Sequence, residues 1–255
     1  MDVPRNAFKR ALAEGRSQIG FWLSLGSPAV AELVAGAGYD WVLVDTEHAP
    51  NEVPDVIEQL RALEGGTASP VVRPAWNDPV LIKRLLDAGA QSLLVPFVRN
   101  ADEAARAVAA TRYAPQGIRG VATITRASRY GRISDYLRQA ADELCLVVQL
   151  ETRDSLRQLE AIAQVPGVDA LFIGPSDLAA DLGHLGDPRH PEVQACIADA
   201  CATSARLGRP LGIFAPLEED ARRYLEMGVQ FAAVGADAVV LRQGVDALRR
   251  RFSTA

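Results

Sequence analysis

Cysteine, histidine, lysine and aromatic residues are all scarce in this 255-residue chain, and each shortage narrows what it can do. The three cysteines, Cys145, Cys196 and Cys201, form neither a CxxC pair nor a zinc-ligand spacing. An odd, sparse set excludes a disulfide framework and points to a reducing, cytoplasmic setting. Lys9 and Lys83 are the only lysines. Aromatic residues make up 6% of the chain, the net charge is −5, and there is no long basic run. These features argue against a nucleic-acid surface and against a polybasic membrane patch. No apolar run approaches the roughly 18 residues of a membrane span. The opening segment MDVPRNAFKR has no apolar stretch of the secretory kind.

What remains is an ordinary globular composition, 49% hydrophobic and 23% charged, long enough for a large core. No low-complexity linker or composition break divides it, so residues 1–255 read as one domain. Eight β-rich runs alternate with amphipathic stretches. The runs are IGFWLSL from Ile19, WVLVDTE from Trp41, SPVVRPA from Ser69 and SLLVPFV from Ser92. LCLVVQLET from Leu144, ALFIGPS from Ala170, PLGIFA from Pro210 and FAAVGAD from Phe231 complete the set. Several are almost continuously apolar, as strands buried on both faces of a parallel sheet should be.

Helices are predicted over 28–35, 53–63, 79–88, 101–111, 155–164, 191–207, 217–227 and 238–250. Gly38, Gly89, Gly208 and Gly228 stand where helices should stop. Eight such units at this length favour a closed (β/α)8 TIM barrel over an open doubly wound sheet. Two stretches break the rhythm: 114–133, rich in arginine, and the polar loop 181–191, which carries His184 and His190. The arginines suit either a solvated face or an anionic partner, and the two histidines read as structural or rim residues.

Barrel active sites lie at the C-terminal strand ends. Polar residues gather there: Asp45, Glu47 and His48 after the second strand, Arg73 at the third, and Gln149 and Glu151 at the fifth. Ser176 and Asp177 follow the sixth, and Asp237 the eighth. Glu151 and Asp177 have two readings. They are ligands for a hard divalent cation, Mg²⁺ first and Mn²⁺ or Co²⁺ next, or they are helix caps. Asp45 and His48 form an acid–base pair, or a surface histidine beside a capping carboxylate. Arg73 at the end of an apolar strand needs an anion, either a substrate oxygen or a structural carboxylate. Neither lysine falls at a strand end, which disfavours Schiff-base chemistry.

At these residues the sequence resembles the HpcH/HpaI family, the metal-dependent class II 2-oxo-acid aldolases. The resemblance rests on YDWVLVDTEHAPNE from Tyr39, PVVRPAWNDPVLIKRLLDAGAQSLLVPFV from Pro70 and GIRGVATITRASRYGRI from Gly117. CLVVQLET from Cys145, VDALFIGPSDLAADLG from Val168 and FAAVGAD from Phe231 continue it in family order. It implies a TIM barrel that makes or cleaves 4-hydroxy-2-oxo-acids through the enolate of pyruvate or hydroxypyruvate and an aldehyde. It also implies Glu151 and Asp177 as metal ligands, Arg73 as the enolate-stabilising cation, and His48–Asp45 as the proton-transfer dyad. Gln149 and Ser176 would contact the bound 2-oxo-acid. The implied assembly is a homo-hexamer whose paired subunits exchange the eighth helix, here 238–250.

Phe214 and Tyr130 depart from the pattern, where Leu and Trp are usual, and bear on substrate choice. Two rival readings follow from the same fold: a carbon–carbon lyase acting on a CoA thioester, as in the citrate lyase β-subunit, and a non-catalytic 2-oxo-acid-binding barrel.

Overall fold

The computed structural model describes residues 1–252 and shows eight parallel strands closed into a barrel in sequence order. They are β1 (Gln18–Leu23), β2 (Trp41–Asp45), β3 (Ser69–Arg73), β4 (Ser92–Val95), β5 (Cys145–Leu150), β6 (Ala170–Ile173), β7 (Leu211–Phe214) and β8 (Phe231–Ala236). Strand β1 pairs with both β2 and β8, which closes the ring. In register, Asp45 lies opposite Arg73 across β2 and β3, and Gln149 opposite Phe172 across β5 and β6. That register already sets the main charges of the mouth side by side.

The apolar runs are buried on both faces. Outward residues such as Val42, Val44, Val72, Leu93, Val148 and Ile173 pack under the helices. Inward residues Trp41, Leu43, Val71, Leu94, Val147, Phe172 and Phe231 fill the lumen. The lumen is aromatic on one side, so backbone there must give way. A Cβ added at Gly20 would fall inside the Trp41 indole, and one at Gly212 would meet Phe231. Gly20→Ala should therefore destabilise the fold by about 1–3 kcal/mol or more through overpacking. Thermal melting checks this; an unchanged Tm would mean that Trp41 can move aside.

The helices sit where the sequence places them, with identifiable stops and starts. The helix α1 (Ala7–Ala13) was not anticipated, because its seven residues are too short to show a period. Its N-cap Asn6 accepts from Lys9 N, and its Phe8 plugs the lower end of the barrel against Trp41 and Phe231. Helix α2 (Pro28–Ala35) starts at Ser27 with proline in the first turn. Helices α3 (Val53–Leu63), α4 (Pro79–Asp87) and α5 (Ala101–Thr111) follow as expected.

The segment 114–133 contains no helix or strand, and the short α6 (Tyr136–Gln139) comes after it. The helix expected over 155–164 is two pieces, α7 (Arg153–Arg157) and α8 (Leu159–Ala163), broken at Gln158. The remaining helices are α9 (Pro175–Asp181), α10 (Pro191–Leu207), α11 (Glu218–Glu226) and α12 (Asp237–Arg251). Helix α10 ends on Gly208 in the left-handed region at φ 62°. No helix among the described residues is long and apolar enough to cross a membrane.

Candidate active site

The centre of the barrel mouth is Arg73, and it is held from three sides. Its Nε and Nη2 donate to Asp45 Oδ1 and Oδ2 at 2.8 and 2.7 Å, a bidentate pair in which Asp45 is 1% exposed. Its Nη1 lies 2.8 Å from Glu47 Oε2. That approach lacks hydrogen-bond alignment, so Oε2 has no directed donor. Below, the guanidinium stacks on the Trp22 indole at 4.8 Å. Trp22 in turn donates Nε1–H to Asp45 Oδ2 at 3.2 Å.

Burial raises the Asp45 carboxyl, but the Arg73 hydrogen bonds and charge outweigh it and hold the group below the usual carboxylate range. Burial also opposes the Arg73 charge, and the carboxylates around it restore it, leaving the guanidinium more basic than usual. Its fixed cation faces the mouth with donors to spare, since an arginine carries five N–H groups.

The loop after β2 carries the next two residues. It is anchored by Asn51 Nδ2 donating to Asp45 O at 2.6 Å, with Gln59 Nε2 on Asn51 Oδ1 at 3.0 Å. Glu47 N donates to Asp45 Oδ1 at 3.0 Å, which turns the buried Glu47 side chain back toward Arg73. His48 is 62% exposed, and its Nε2 lies 4.0 Å from Glu47 Oε1. The expected His48–Asp45 contact is thus replaced by His48 beside Glu47. The physical reason is saturation: both Asp45 oxygens are taken by Arg73, Trp22 and the Glu47 amide. Burial raises the Glu47 carboxyl above its ordinary range, against the opposing charges of Arg73 and His48.

Opposite stand Glu151, Gln149 and Asp177. Glu151 is 1% exposed. Its Oε1 accepts from Phe97 N at 2.8 Å and its Oε2 from Gln149 Nε2 at 2.5 Å. Gln149 Oε1 is buried with no partner. A Cβ at Gly174 would come 2.5 Å from Glu151 Oε2, so this glycine leaves the cradle for the carboxylate. Burial, together with the charges of Asp177 and Glu47, pushes the Glu151 carboxyl up to about 7, against the Phe97 and Gln149 hydrogen bonds.

Asp177 sits in the first turn of α9, whose N-cap is Gly174 and which has no side-chain cap. Capping is therefore not its role. Its carboxylate makes no hydrogen bond or ion pair with a described residue, and it faces the fields of Glu47 and Glu151. Ser176, one residue earlier, is exposed. Its amide and that of Asp177 belong to the first helical turn, where N–H groups have no intrahelical acceptor.

Asp177 is near enough to Glu47 and Glu151 to raise both of their carboxyls, and an oxygen-only donor set of this kind suits a hard cation. The donor set contains no imidazole or thiolate in direct contact, which favours Mg²⁺ or Mn²⁺ over softer ions.

The other strand-end residues sort clearly. Phe214 packs edge-on against Trp22 at 5.2 Å between ring centroids, which places it beside the Arg73 platform. Asp237 is structural: its carboxylate accepts from Ser24 N, Ser24 Oγ, Leu25 N and Ala238 N and closes β8 onto β1. Within 114–133, Arg119 is fully buried on Asp87 and over Tyr113, and Arg126 pairs with Glu64. Arg129, Arg132 and Tyr130 line a separate cavity of about 540 Å³ that holds none of the strand-end acids.

Sequence reasoning missed Trp22 and Phe97. Phe97 takes a left-handed φ of 52°, unusual for an aromatic residue, and this aims its N–H at Glu151. Its ring stacks on the half-exposed Trp76 at 5.3 Å. No local pattern announces that conformation.

A closed parallel barrel with acids, an arginine and a histidine at its C-terminal mouth has the site layout of the TIM-barrel enzymes. The HpcH/HpaI aldolase/citrate lyase family matches residues 18–244, and the chain belongs to that family. It is 57% identical over 249 residues to the 4-hydroxy-2-oxo-heptane-1,7-dioate aldolase of Klebsiella pneumoniae subsp. pneumoniae, covering 97% of this chain and 94% of the relative. It is 55% identical over 254 residues to the pyruvate aldolase of Rhizobium etli, covering 100% of both. A crystal structure of a family protein from Burkholderia cenocepacia superposes with a TM-score of 0.93 at 44% identity, over 97% of this chain and 100% of that one. This chain is an aldolase of the HpcH/HpaI family. The class II aldolases of that family generally depend on a divalent metal.

Proposed function

We propose that this aldolase makes and cleaves 4-hydroxy-2-oxo-acids, using pyruvate or hydroxypyruvate as the donor and an aldehyde as the acceptor. The observation that carries it is the gathering, at one barrel mouth, of the buried Glu151 carboxylate, an Asp177 carboxylate without a hydrogen-bond partner, and the fixed cation of Arg73, whose charges act on one another. Glu151 and Asp177 hold the divalent cation, most suitably Mg²⁺. When bound, such a cation supplies Lewis-acid polarisation of a 2-oxo-acid, which makes its C3 proton easier to remove.

The rest is done by the chain itself. Arg73 presents positive charge where the enolate oxygen develops. Asp45 and Trp22 lock the guanidinium in place. His48 moves the proton, and Glu47 is the carboxylate next to it. Gln149 orients Glu151, and the first-turn amides of Ser176 and Asp177 receive the substrate carboxylate. Phe214 and Trp22 form the apolar wall that bounds the acceptor.

Exchange of the pyruvate methyl protons in D₂O, followed by NMR, tests this without a guess about the aldehyde. Exchange should require Mg²⁺ or Mn²⁺ and stop with EDTA. Absence of exchange with every divalent metal, for pyruvate and at the carbinol carbon of hydroxypyruvate, would overturn the donor assignment.

The same reading makes the protein a cytoplasmic homo-hexamer in which paired subunits exchange α12. Supporting it, Leu241, Val245 and Leu248 form an i, i+4, i+7 stripe on that helix and are each more than half exposed. Light scattering should give a hexamer mass, and Leu241→Glu with Val245→Glu should lower it.

A further inference from the structure

The loop joining α9 to α10 carries a constellation that the aldol chemistry does not use. It folds back on itself through Asp187 N on His184 O at 2.9 Å and His190 N on Asp187 O at 3.1 Å. The two imidazoles are brought face to face, 3.4 Å between ring centroids and 16° from parallel. His184 Nε2 lies 2.8 Å from Glu192 Oε2, while Glu192 Oε1 accepts from Arg153 Nη2 at 2.8 Å. His190 Nδ1 accepts from Glu192 N at 3.2 Å and caps α10. One ligand atom from each of His184, His190 and Glu192 lies within 4.8 Å of the other two. Among the described residues no other group of three histidine, cysteine or acidic side chains comes as close.

An ion pair accounts for His184 and Glu192, but not for the second imidazole. The stacked rings send their in-plane lone pairs alongside one another, and a turn of either ring brings a nitrogen of each toward the Glu192 carboxylate, within the 4.8 Å that already spans the three ligand atoms. We propose that His184, His190 and Glu192 form a second metal site, for a borderline divalent ion of the Zn²⁺ or Ni²⁺ class. Two nitrogens and one carboxylate match the ligand type of those ions, whereas Mg²⁺ prefers oxygen alone.

Around an ion at about 2.1 Å, tetrahedral ligand atoms stand roughly 3.4 Å apart, so ring rotation and a small shift of Glu192 close the site. Water completes the coordination. Because His184 N also donates to Ala179 O of α9 at 2.7 Å, the ion clamps the loop between the helix that bears Asp177 and the start of α10. The clamp is structural; it touches no reacting atom.

Equilibrium dialysis of the full-length chain against Zn²⁺ tests the site, with four proteins compared. The parent should bind two equivalents, one at the strand-end carboxylates and one in the loop. Glu151→Gln with Asp177→Asn should bind one, His190→Asn one, and the three substitutions together none. Asparagine still accepts the Glu192 amide as an N-cap, so His190→Asn removes the ligand and keeps the helix start. His184→Gln provides a second route. Either histidine variant should weaken the loop site by more than the roughly 10- to 100-fold that loss of an outer-shell partner costs. Zn²⁺ should also raise the Tm of the carboxylate double variant, and His190→Asn should abolish that rise. The proposal is overturned if the carboxylate double variant binds no Zn²⁺, or if its binding survives both histidine substitutions. Two equivalents retained in the carboxylate double variant would count against the strand-end cation site instead.

Discussion

Glu151→Gln should silence the enzyme and, at the same time, stabilise the metal-free fold. Removal of one of the two proposed carboxylate ligands should cut divalent-metal-dependent pyruvate proton exchange by about 10³-fold or more, since a bound Lewis acid is worth several kcal/mol to charge development. The gain in stability has a separate origin. The Glu151 carboxyl is raised to about 7 by burial and by the charges of Asp177 and Glu47. Its folded value thus exceeds its unfolded one, so the native chain binds the extra proton between roughly pH 4.5 and 7. Stability from this group therefore falls as pH rises through that window, and the full penalty applies above about 7, up to about 3 kcal/mol.

An amide carries no such charge. Gln149, whose Oε1 is an orphaned acceptor, can flip its own amide to receive the new N–H₂ group. Denaturant unfolding without metal should show the variant more stable than the parent at pH 8, with the gap closing by pH 4.5. A bound divalent cation should relieve the parent in the same way at neutral pH and erase the difference. A variant equal to or less stable than the parent at pH 8 would show that Glu151 is not under charge strain.

The strands and most helices were legible because their signals are local. Eight apolar runs, each followed by a helix-length amphipathic stretch, four of them stopped by glycine (Gly38, Gly89, Gly208 and Gly228), allow little besides a closed α/β barrel. The convergence of Asp45, Arg73, Gln149, Glu151 and Asp177 was legible too, since strand ends of a barrel share one mouth. Partner choice was not. Asp45, Glu47 and His48 are adjacent in sequence, and only the three-dimensional position of Arg73 and Trp22 decides which carboxylate oxygens remain free.

Trp22 was counted as a strand residue, although alternation puts it in the lumen, and nothing in IGFWLSL shows that its ring will underlie a guanidinium. The left-handed backbone of Phe97 is likewise a tertiary imposition. The α1 plug was missed for the opposite reason: Asn6 is a good N-cap, but seven residues are too few for periodicity to report.

The division of labour between Asp45 and His48 gives the second large effect. Arg73→Ala should lower kcat by on the order of 10²-fold or more, as for loss of an oxyanion partner. It should also destabilise the protein by about 3–5 kcal/mol, because the buried Asp45 charge is left without its cation. The two losses separate in a double variant. Arg73→Met combined with Asp45→Asn removes both charges from the same volume, so the Tm should recover while the rate does not.

A mutant cycle then assigns Asp45. If it anchors Arg73, the rate losses of Asp45→Asn and Arg73→Ala overlap strongly, whereas Asp45→Asn and His48→Gln add. If Asp45 instead relays protons through His48, the overlap falls on the His48 pair. The pH profile is the second readout: His48→Gln should change the shape of the profile, while Asp45→Asn should scale the whole profile down without reshaping it. The bidentate contact at 2.7 and 2.8 Å, against an exposed imidazole whose nearest carboxylate is Glu47, favours the anchoring outcome.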